Sequence, residues 1–226
     1  MRYIDLGIVT PEYSVSADKV LLGSYSEDTL LLYSRSRPCV SIGRFQKIDD
    51  AVNTEYVKKN NISVVRRISG GSSIYSDENQ ITYSLIISKD RLPVNRNDSF
   101  AMVCGAVVAA LERLGIRGKY KPINDILVNG KKISGGAQAR NDKAVLQHGS
   151  IILDVNEERV NSSLIERKER SYSGLTSIKE CLGYIPARDK IADAVISGFS
   201  KVFGNITKSE LTDKEKEEIE RSVLLI

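Results

Sequence analysis

The stretch from Lys121 to Arg140, KPINDILVNGKKISGGAQAR, constrains this chain more than any other. Asn129-Gly130 is a hairpin-turn dipeptide, because Asn and Gly accept positive φ at low cost. It stands between the apolar run Ile126-Leu127-Val128 and Ile133, so two strands are expected to meet at that turn. Asp125 and Lys132 then fall on neighbouring strands, with Ser134-Gly135-Gly136-Ala137 following. The glycine pair lets a ligand approach the backbone closely. A lysine, a carboxylate and open backbone amides suit a charged, phosphate-bearing ligand. Strand alternation sends Lys131 to the opposite face, into solvent. Alone, the same pattern also describes an ordinary surface hairpin.

A second stretch narrows the choice. Ile62 to Ser69 reads as a strand ending in Arg66-Arg67 and running into Gly70-Gly71-Ser72-Ser73, then Ile74-Tyr75-Ser76-Asp77 and a further strand, Gln80 to Ile87. RRxSGG, an apolar-aromatic-x-Asp stretch, NDxxVxGKKxSGxA and Leu146-Gln147-His148-Gly149 occur in that order. This ordered set resembles the lipoate–protein ligase family. More distantly it is similar to the biotin ligases, which carry a comparable Pro-x-Asn-Asp…Gly-x-Lys segment. The likeness runs from Tyr3 to Leu211 and includes Ser41-Ile42-Gly43-Arg44.

The resemblance implies an α+β domain over residues 1–226, a largely antiparallel sheet flanked by helices and biotin/lipoate ligase-like. It implies an ATP-dependent reaction in which the lipoate carboxylate attacks the α-phosphate to give lipoyl-AMP, and an acceptor lysine then takes the acyl group. A carboxylate is already a nucleophile, so such a site needs positioning and charge neutralisation rather than a base. By resemblance, Lys132 is the catalytic lysine that contacts both ATP and the lipoyl carboxylate. Arg67 matches a nucleotide-contacting arginine, its fork of donors suited to phosphate or carboxylate. Gly70, Gly71, Ser72, Ser73, Ile74 and Tyr75 match the loop that wraps the nucleotide and acyl chain, with Asn124, Asp125, Gly135 and His148 completing the ATP and lipoyl-AMP site. Asp125 either orients Lys132 or holds Mg²⁺. Implied partners are the lipoyl domains of 2-oxoacid dehydrogenases and the H protein of glycine cleavage, with neither nucleic acid nor membrane.

Members of that family usually read RRxSGGGAVYHD. Here Ser72, Ser73 and Ser76 replace Gly, Ala and His, which bears on acyl specificity. Many members carry a further small C-terminal domain, and the chain stops at Ile226, so the corresponding expectation is either a separate accessory polypeptide or incomplete ligase activity.

Composition agrees with a single domain. The chain has 226 residues, 41% hydrophobic and 27% charged, with a net charge of +4; that suits a phosphate ligand or an acidic partner without demanding nucleic acid. No run reaches transmembrane length and MRYIDLGIVT lacks a signal-peptide layout, so a cytoplasmic setting is expected. Cys39, Cys104 and Cys181 are scattered and odd in number, which suggests neither a disulfide framework nor a metal cluster. One histidine makes any Ser-His-Asp triad depend on His148.

Along the chain, Met1 to Thr10 reads as a strand and Pro11 to Gly23 as a helix. Thr29 to Ser34 and Pro38 to Ile42 read as a strand pair joined at Arg35-Ser36-Arg37, and Asn53 or Thr54 caps a short helix. Asp98 to Gly115 repeats apolar residues at helical spacing, with Cys104 on the apolar stripe. Ala144 to Val155 forms a strand through His148, and the polar stretch after Asn156 a helix followed by a mobile loop. Thr176–Leu182, Asp189–Phe203 and Thr212–Val223 are helical patterns.

Three other readings compete. An octanoyl- or lipoyl-transferase of the same superfamily uses a cysteine thioester and no ATP; it carries that cysteine just before the segment equivalent to Ile123-Asn124-Asp125, where Lys119 to Pro122 has none. A biotin ligase would bring a tryptophan-bearing loop, and the chain has no tryptophan. A degenerate, non-catalytic lipoate- or nucleotide-binding protein finds support only in the loop serines.

Overall fold

The computed structural model describes residues 1–165 and 174–226. The chain opens with β1 (Arg2–Val9), α1 (Pro11–Gly23), β2 (Thr29–Arg35), β3 (Cys39–Ile42), α2 (Thr54–Lys59) and β4 (Ser63–Arg66). After the glycine-rich loop come β5 (Ile74–Ser76), β6 (Gln80–Ser88) and α3 (Arg96–Arg113). The hairpin region supplies β7 (Lys119–Lys121), β8 (Asp125–Val128), β9 (Lys131–Arg140) and β10 (Ala144–Ile152). Then follow α4 (Glu157–Ser163), α5 (Ile178–Leu182), α6 (Arg188–Phe203), β11 (Thr207–Lys208) and α7 (Asp213–Val223).

Among the described residues there are two sheets. The larger runs β11-β1-β2-β6-β10-β9-β8-β7 and the smaller β4-β3-β5. The larger is antiparallel from β2 across to β7 and parallel only where β1 meets β2 and β11. An α+β fold with a largely antiparallel sheet is therefore what the chain forms. No helix among the described residues is long and apolar enough to cross a membrane.

Local chemistry explains the elements. Thr10 caps α1 through the Tyr13 amide with Pro11 in the first turn, Asn95 caps α3, and Thr212 with Glu215 forms a capping box on α7. The Asn129-Gly130 turn has positive φ at both residues, 50° and 80°, which is the hairpin geometry that favours this dipeptide.

β2 is buried along its whole length, so it is apolar on both faces rather than alternating. Leu30 and Leu32 join Tyr83, Leu85, Val107, Leu111 and Phe199 beneath α3 and α6. Leu31 and Tyr33 face the other way with Ile86, Leu146, Leu21 and Ile219, covered by α1 and α7. Those two helices cover only part of that face. The remainder, from Thr82 through His148 and Ser150 to Gly135, is the floor of a cleft, walled by the small sheet and its loops.

Two sequence expectations need correction. Thr29–Ser34 and Pro38–Ile42 do not pair: β2 is flanked by β1 and β6, while β3 is the centre of the small sheet. Arg35, read as a turn residue, is the last residue of β2 and is buried; the Ser36 amide then bonds Val9 O and the chain leaves the sheet. The glycine-rich segment crosses over β3, because β4 and β5 lie on opposite sides of it. The loop expected after the helix beyond Asn156 falls largely on residues 166–173, outside the described residues.

Arg2 ties the ends of the fold together. It is buried and donates from Nε to Thr29 Oγ1 at 2.8 Å and from Nη1 and Nη2 to the Glu215 carboxylate. Burial alone would raise the Glu215 carboxyl; the hydrogen bonds from Arg2 and the Thr212 amide outweigh it and hold its pKa below the ordinary glutamate value. A depressed carboxylate stabilises the fold above its unfolded pKa and loses that contribution as pH falls towards its folded pKa. Glu215→Gln is expected to cost about 2 kcal/mol at pH 7, or roughly 4–8 °C in Tm. Thermal melts against pH should show that difference shrinking below about pH 4.

Candidate functional site

The cleft measures about 430 Å³. Its floor is the β6–β10–β9–β8 part of the large sheet and its wall the glycine-rich loop with β3 and β5. Of the sequence-derived residues, Arg67, Gly71, Ser72, Ser73, Ile74, Tyr75, Asn124, Asp125, Lys132, Gly135 and His148 all line it. Gly70 does not; it contributes a carbonyl to the loop beneath.

Lys132 Nζ sits 2.6 Å from Asp125 Oδ1, with about a fifth of the lysine side chain exposed. A register shift at Ile126/Leu127 in the β8–β9 pair leaves Lys132 opposite Leu127 and Gly135 opposite Asp125. Gly135 is what lets the lysine lie flat. A Cβ there would stand 2.5 Å from Lys132 Cε and 2.6 Å from Nζ. The backbone of Lys132 is pinned as well, its amide bonding Gly174 O and its carbonyl the Thr176 amide, each at 2.9 Å. Lys131 projects elsewhere and pairs with Glu180 at 2.7 Å, largely in solvent. Asn124 Nδ2 bonds Gly136 O across the strands.

The two arginines staple the walls. Arg66 Nη1 donates to three carbonyls, Gly43, Arg44 and Gln46. Arg67 is buried and donates from Nε to Ser69 Oγ at 3.0 Å, from Nη1 to Ser41 O at 2.8 Å, and from Nη2 to Gly70 O and Ser72 O at 2.7 and 2.8 Å. Burial, with Arg35 nearby, brings the Arg67 pKa down to about 10, so it stays cationic at neutral pH. Its fork therefore shapes the glycine loop. One Nη1 N–H remains beyond these four bonds. Ser73, where the resemblance has alanine, bonds Ala51 O at 3.2 Å and ties the loop to the start of α2.

His148 closes a buried chain that was not legible in the sequence. Its Nδ1 lies 2.6 Å from Asp18 Oδ2 on α1, and its Nε2 lies 2.6 Å from Ser69 Oγ. Ser84 holds the other Asp18 oxygen at 2.6 Å. Ser69 Oγ also accepts from Arg67 Nε, so arginine, serine, imidazole and carboxylate form one continuous hydrogen-bonded chain. The order is that of a Ser-His-Asp triad, but Ser69 is fully buried and carries the arginine on its oxygen. It holds the loop; it does not present a nucleophile.

The far end of the cleft is apolar: Ile152, Val155, Val160, Leu164, Ile165 and Leu175. Tyr33, Arg35, Ser41, Gln80 and Thr82 also line it and were not singled out from the sequence. Four of them sit in elements read for their strand pattern and Arg35 in a presumed turn, and only the tertiary meeting of two sheets exposes them to a common space.

None of the three cysteines lines the cleft. Cys39 and Cys104 are buried and Cys181 half-buried; burial raises the Cys39 thiol and pushes Cys104 up to about 12. A thiol-specific disulfide reagent at pH 8 should therefore react promptly with Cys181 alone in native protein and with all three after unfolding.

Against known proteins, a family model described as the lipoyl protein ligase A/B catalytic domain matches residues 10–200. The chain belongs to this family. Octanoyltransferase LipM of Halalkalibacterium halodurans is 26% identical over 97% of this chain and 93% of its own length. Lipoate-protein ligase LplJ of Bacillus subtilis is 32% identical over 85% of this chain, which spans 60% of LplJ. A bipartite lipoate protein ligase from Thermoplasma acidophilum, studied with its E2 lipoyl domain, superposes with a TM-score of 0.85 at 24% identity, covering 98% of this chain and 91% of that one. The family thus holds both lipoate ligases and octanoyltransferases, and its members handle lipoyl or octanoyl groups.

Proposed function

We propose that this protein is an ATP-dependent lipoate–protein ligase. The observation that carries the reading is Lys132 Nζ, held by Asp125 in a cleft that offers no cysteine. An acyl-thioester route needs an accessible, polarised thiol; an adenylating route needs a fixed cation between carboxylate and α-phosphate, with backbone amides nearby.

In this reading the apolar end takes the acyl chain and brings the carboxylate to Lys132. A carboxylate oxygen attacks the α-phosphorus, the bond to the β-phosphate oxygen breaks, and pyrophosphate leaves. Lys132 neutralises charge on both reacting groups. The acceptor lysine's amine then attacks the acyl carbon; the carbon–oxygen bond to phosphate breaks, AMP departs, and the amine's proton passes to solvent. Asn124 and Gly135 keep the floor in register, and the amides from Gly71 to Tyr75 face the nucleotide. Asp125 is committed to Lys132, and no cluster of three acidic, histidine or cysteine side chains occurs among the described residues. Mg²⁺ would therefore enter on the ATP phosphates, with Asp125 at most one of its oxygen donors.

Lipoyl domains of 2-oxoacid dehydrogenases and the H protein of glycine cleavage are the proposed acceptors, the relative studied with an E2 lipoyl domain supporting the first. The bipartite lipoate protein ligase among the similar structures supports a separate accessory polypeptide as part of the same proposal. The likeness to LipM favours one alternative, octanoyl transfer without ATP. Intact-mass measurement of an apo lipoyl domain decides between them. A lipoyl mass gain that requires MgATP supports the ligase; transfer from an octanoyl carrier protein without ATP overturns it. If neither occurs, lipoate-dependent exchange of pyrophosphate into ATP separates a ligase awaiting its accessory chain from a mere binder.

A further inference from the structure

Arg35 is a buried cation in no direct ion pair among the described residues; against burial, its charge is favoured by Cys39, Tyr33 and, at longer range, Asp18. Its side chain leaves the end of β2 on the cleft face and is only 6% exposed. Its hydrogen bonds go from Nε to Ser14 Oγ at 3.3 Å and from Nη1 to Cys39 Sγ at 3.1 Å. Both partners are neutral, since burial raises the Cys39 thiol. Among the described residues no ion pair includes Arg35 or Arg67. Asp18, which acts on Arg35 at longer range, has both carboxylate oxygens engaged, one with Ser84 and one with His148.

These two guanidiniums are neighbours. Arg35 lies close enough to disfavour the charge on Arg67, and both line the cleft. Ser41 stands with them. It is two residues beyond Cys39 on β3, hence on the same strand face, its carbonyl accepts from Arg67 Nη1, and its own Oγ is buried without a hydrogen-bond partner. Burying charge unpaired costs several kcal/mol per ion. A chain that keeps two such cations beside an unsatisfied hydroxyl on a cleft wall has a place for an anion.

We propose that Arg35, Ser41 and the remaining Nη1 N–H of Arg67 form an oxyanion seat in the wall of the cleft, with Arg35 as its principal binding residue. The seat takes a substrate oxyanion, either the carboxylate of the acyl acid or a phosphate of the nucleotide's leaving diphosphate. It deepens the ligase reading and rests on it. Lys132 and the seat then neutralise different parts of one substrate pair, Lys132 from the floor and Arg35 from the wall.

The physics gives a test that a merely structural arginine would fail. Replacing a buried ionic group by an apolar one of similar volume is often neutral or stabilising when no charge is left uncompensated, and Asp18 keeps Ser84 and His148. Arg35→Met should therefore melt at or above the wild-type temperature while losing about tenfold or more in affinity for one of two probes, inorganic pyrophosphate or lipoate, measured separately by calorimetry without ATP. Loss confined to pyrophosphate places a phosphate in the seat; loss confined to lipoate places the carboxylate there. A folded Arg35→Met protein with unchanged affinity for both overturns the seat alone. A wild-type protein that binds neither probe removes the seat together with the ligase reading. Should Arg35→Met fail to fold, Ser41→Ala supplies the same comparison. It deletes a hydroxyl that bonds nothing in the protein, so its melting temperature should hold while affinity for the same probe falls severalfold, and unchanged affinity there overturns the seat.

Discussion

Lys132→Ala is expected to lower lipoate-dependent pyrophosphate exchange by about a thousandfold, the upper range for losing one preorganised donor at a developing charge. The ammonium is 2.6 Å from Asp125 and only a fifth exposed, so nothing mobile replaces it. Removing it leaves a carboxylate alone at the cleft floor. Asp125 still opens onto the cleft, so the stability cost should stay near 1–2 kcal/mol, and the protein should remain folded by circular dichroism. Lys132→Arg should not rescue activity. The lysine lies against Gly135 where even a Cβ would collide, and a planar fork cannot lie in that space as a point charge does. Asp125→Asn separates orientation from charge: it keeps the cation, frees its position, and should cost less than Lys132→Ala. Retained exchange in the alanine variant, in folded protein, would sink the mechanism.

How much of this was legible beforehand depended on how local the cause was. The Asn129-Gly130 turn carries its own φ requirement, so the hairpin and the Asp125–Lys132 neighbourhood followed from a few residues. The helix caps are equally local: Asn53 caps α2 and Thr212 caps α7. Thr29–Ser34 and Pro38–Ile42 also read as strands, matching β2 and β3 to within a residue, but alternation says nothing about which strand is the partner. The charged triplet Arg35-Ser36-Arg37 imitates a hairpin loop, whereas Arg35 is driven inward to Ser14 and Cys39 while Arg37 turns outward to Glu12. A sequence window cannot distinguish those two arginines. Asp18 was hidden for a similar reason. On α1 it looks like one polar residue of a helix, and its partner His148 comes from β10, far along the chain. The motif residues were found because they are contiguous. The residues that hold the motif were not, because their contacts cross between sheets.

That distinction between motif and support separates two glycines. Gly43 packs directly under the glycine-rich loop, and a Cβ on it would lie 2.1 Å from Gly71 O, well inside the 3.4 Å at which ordinary contact begins. Neither side yields easily. Gly43 N–H bonds Gln46 Oε1, its carbonyl accepts from Arg66, and the Arg44 amide bonds Ser69 O at 2.8 Å. Across from it, Arg67 grips the carbonyls of Gly70 and Ser72. Gly43→Ala must therefore push backbone against backbone, at a cost of about 1–3 kcal/mol, and displace the loop amides that the proposed function sets against the nucleotide. Activity should fall at least a hundredfold, as expected for misplacement of a catalytic frame by about an ångström. Gly70 is the control. A Cβ there meets nothing within 4 Å and Gly70 does not line the cleft, so Gly70→Ala should keep both the wild-type melting temperature and most of the activity. Melting temperature and pyrophosphate exchange measured on both variants give the comparison. Gly43→Ala with wild-type stability and activity would show that the loop has room to move and that the arginine staples do not fix it.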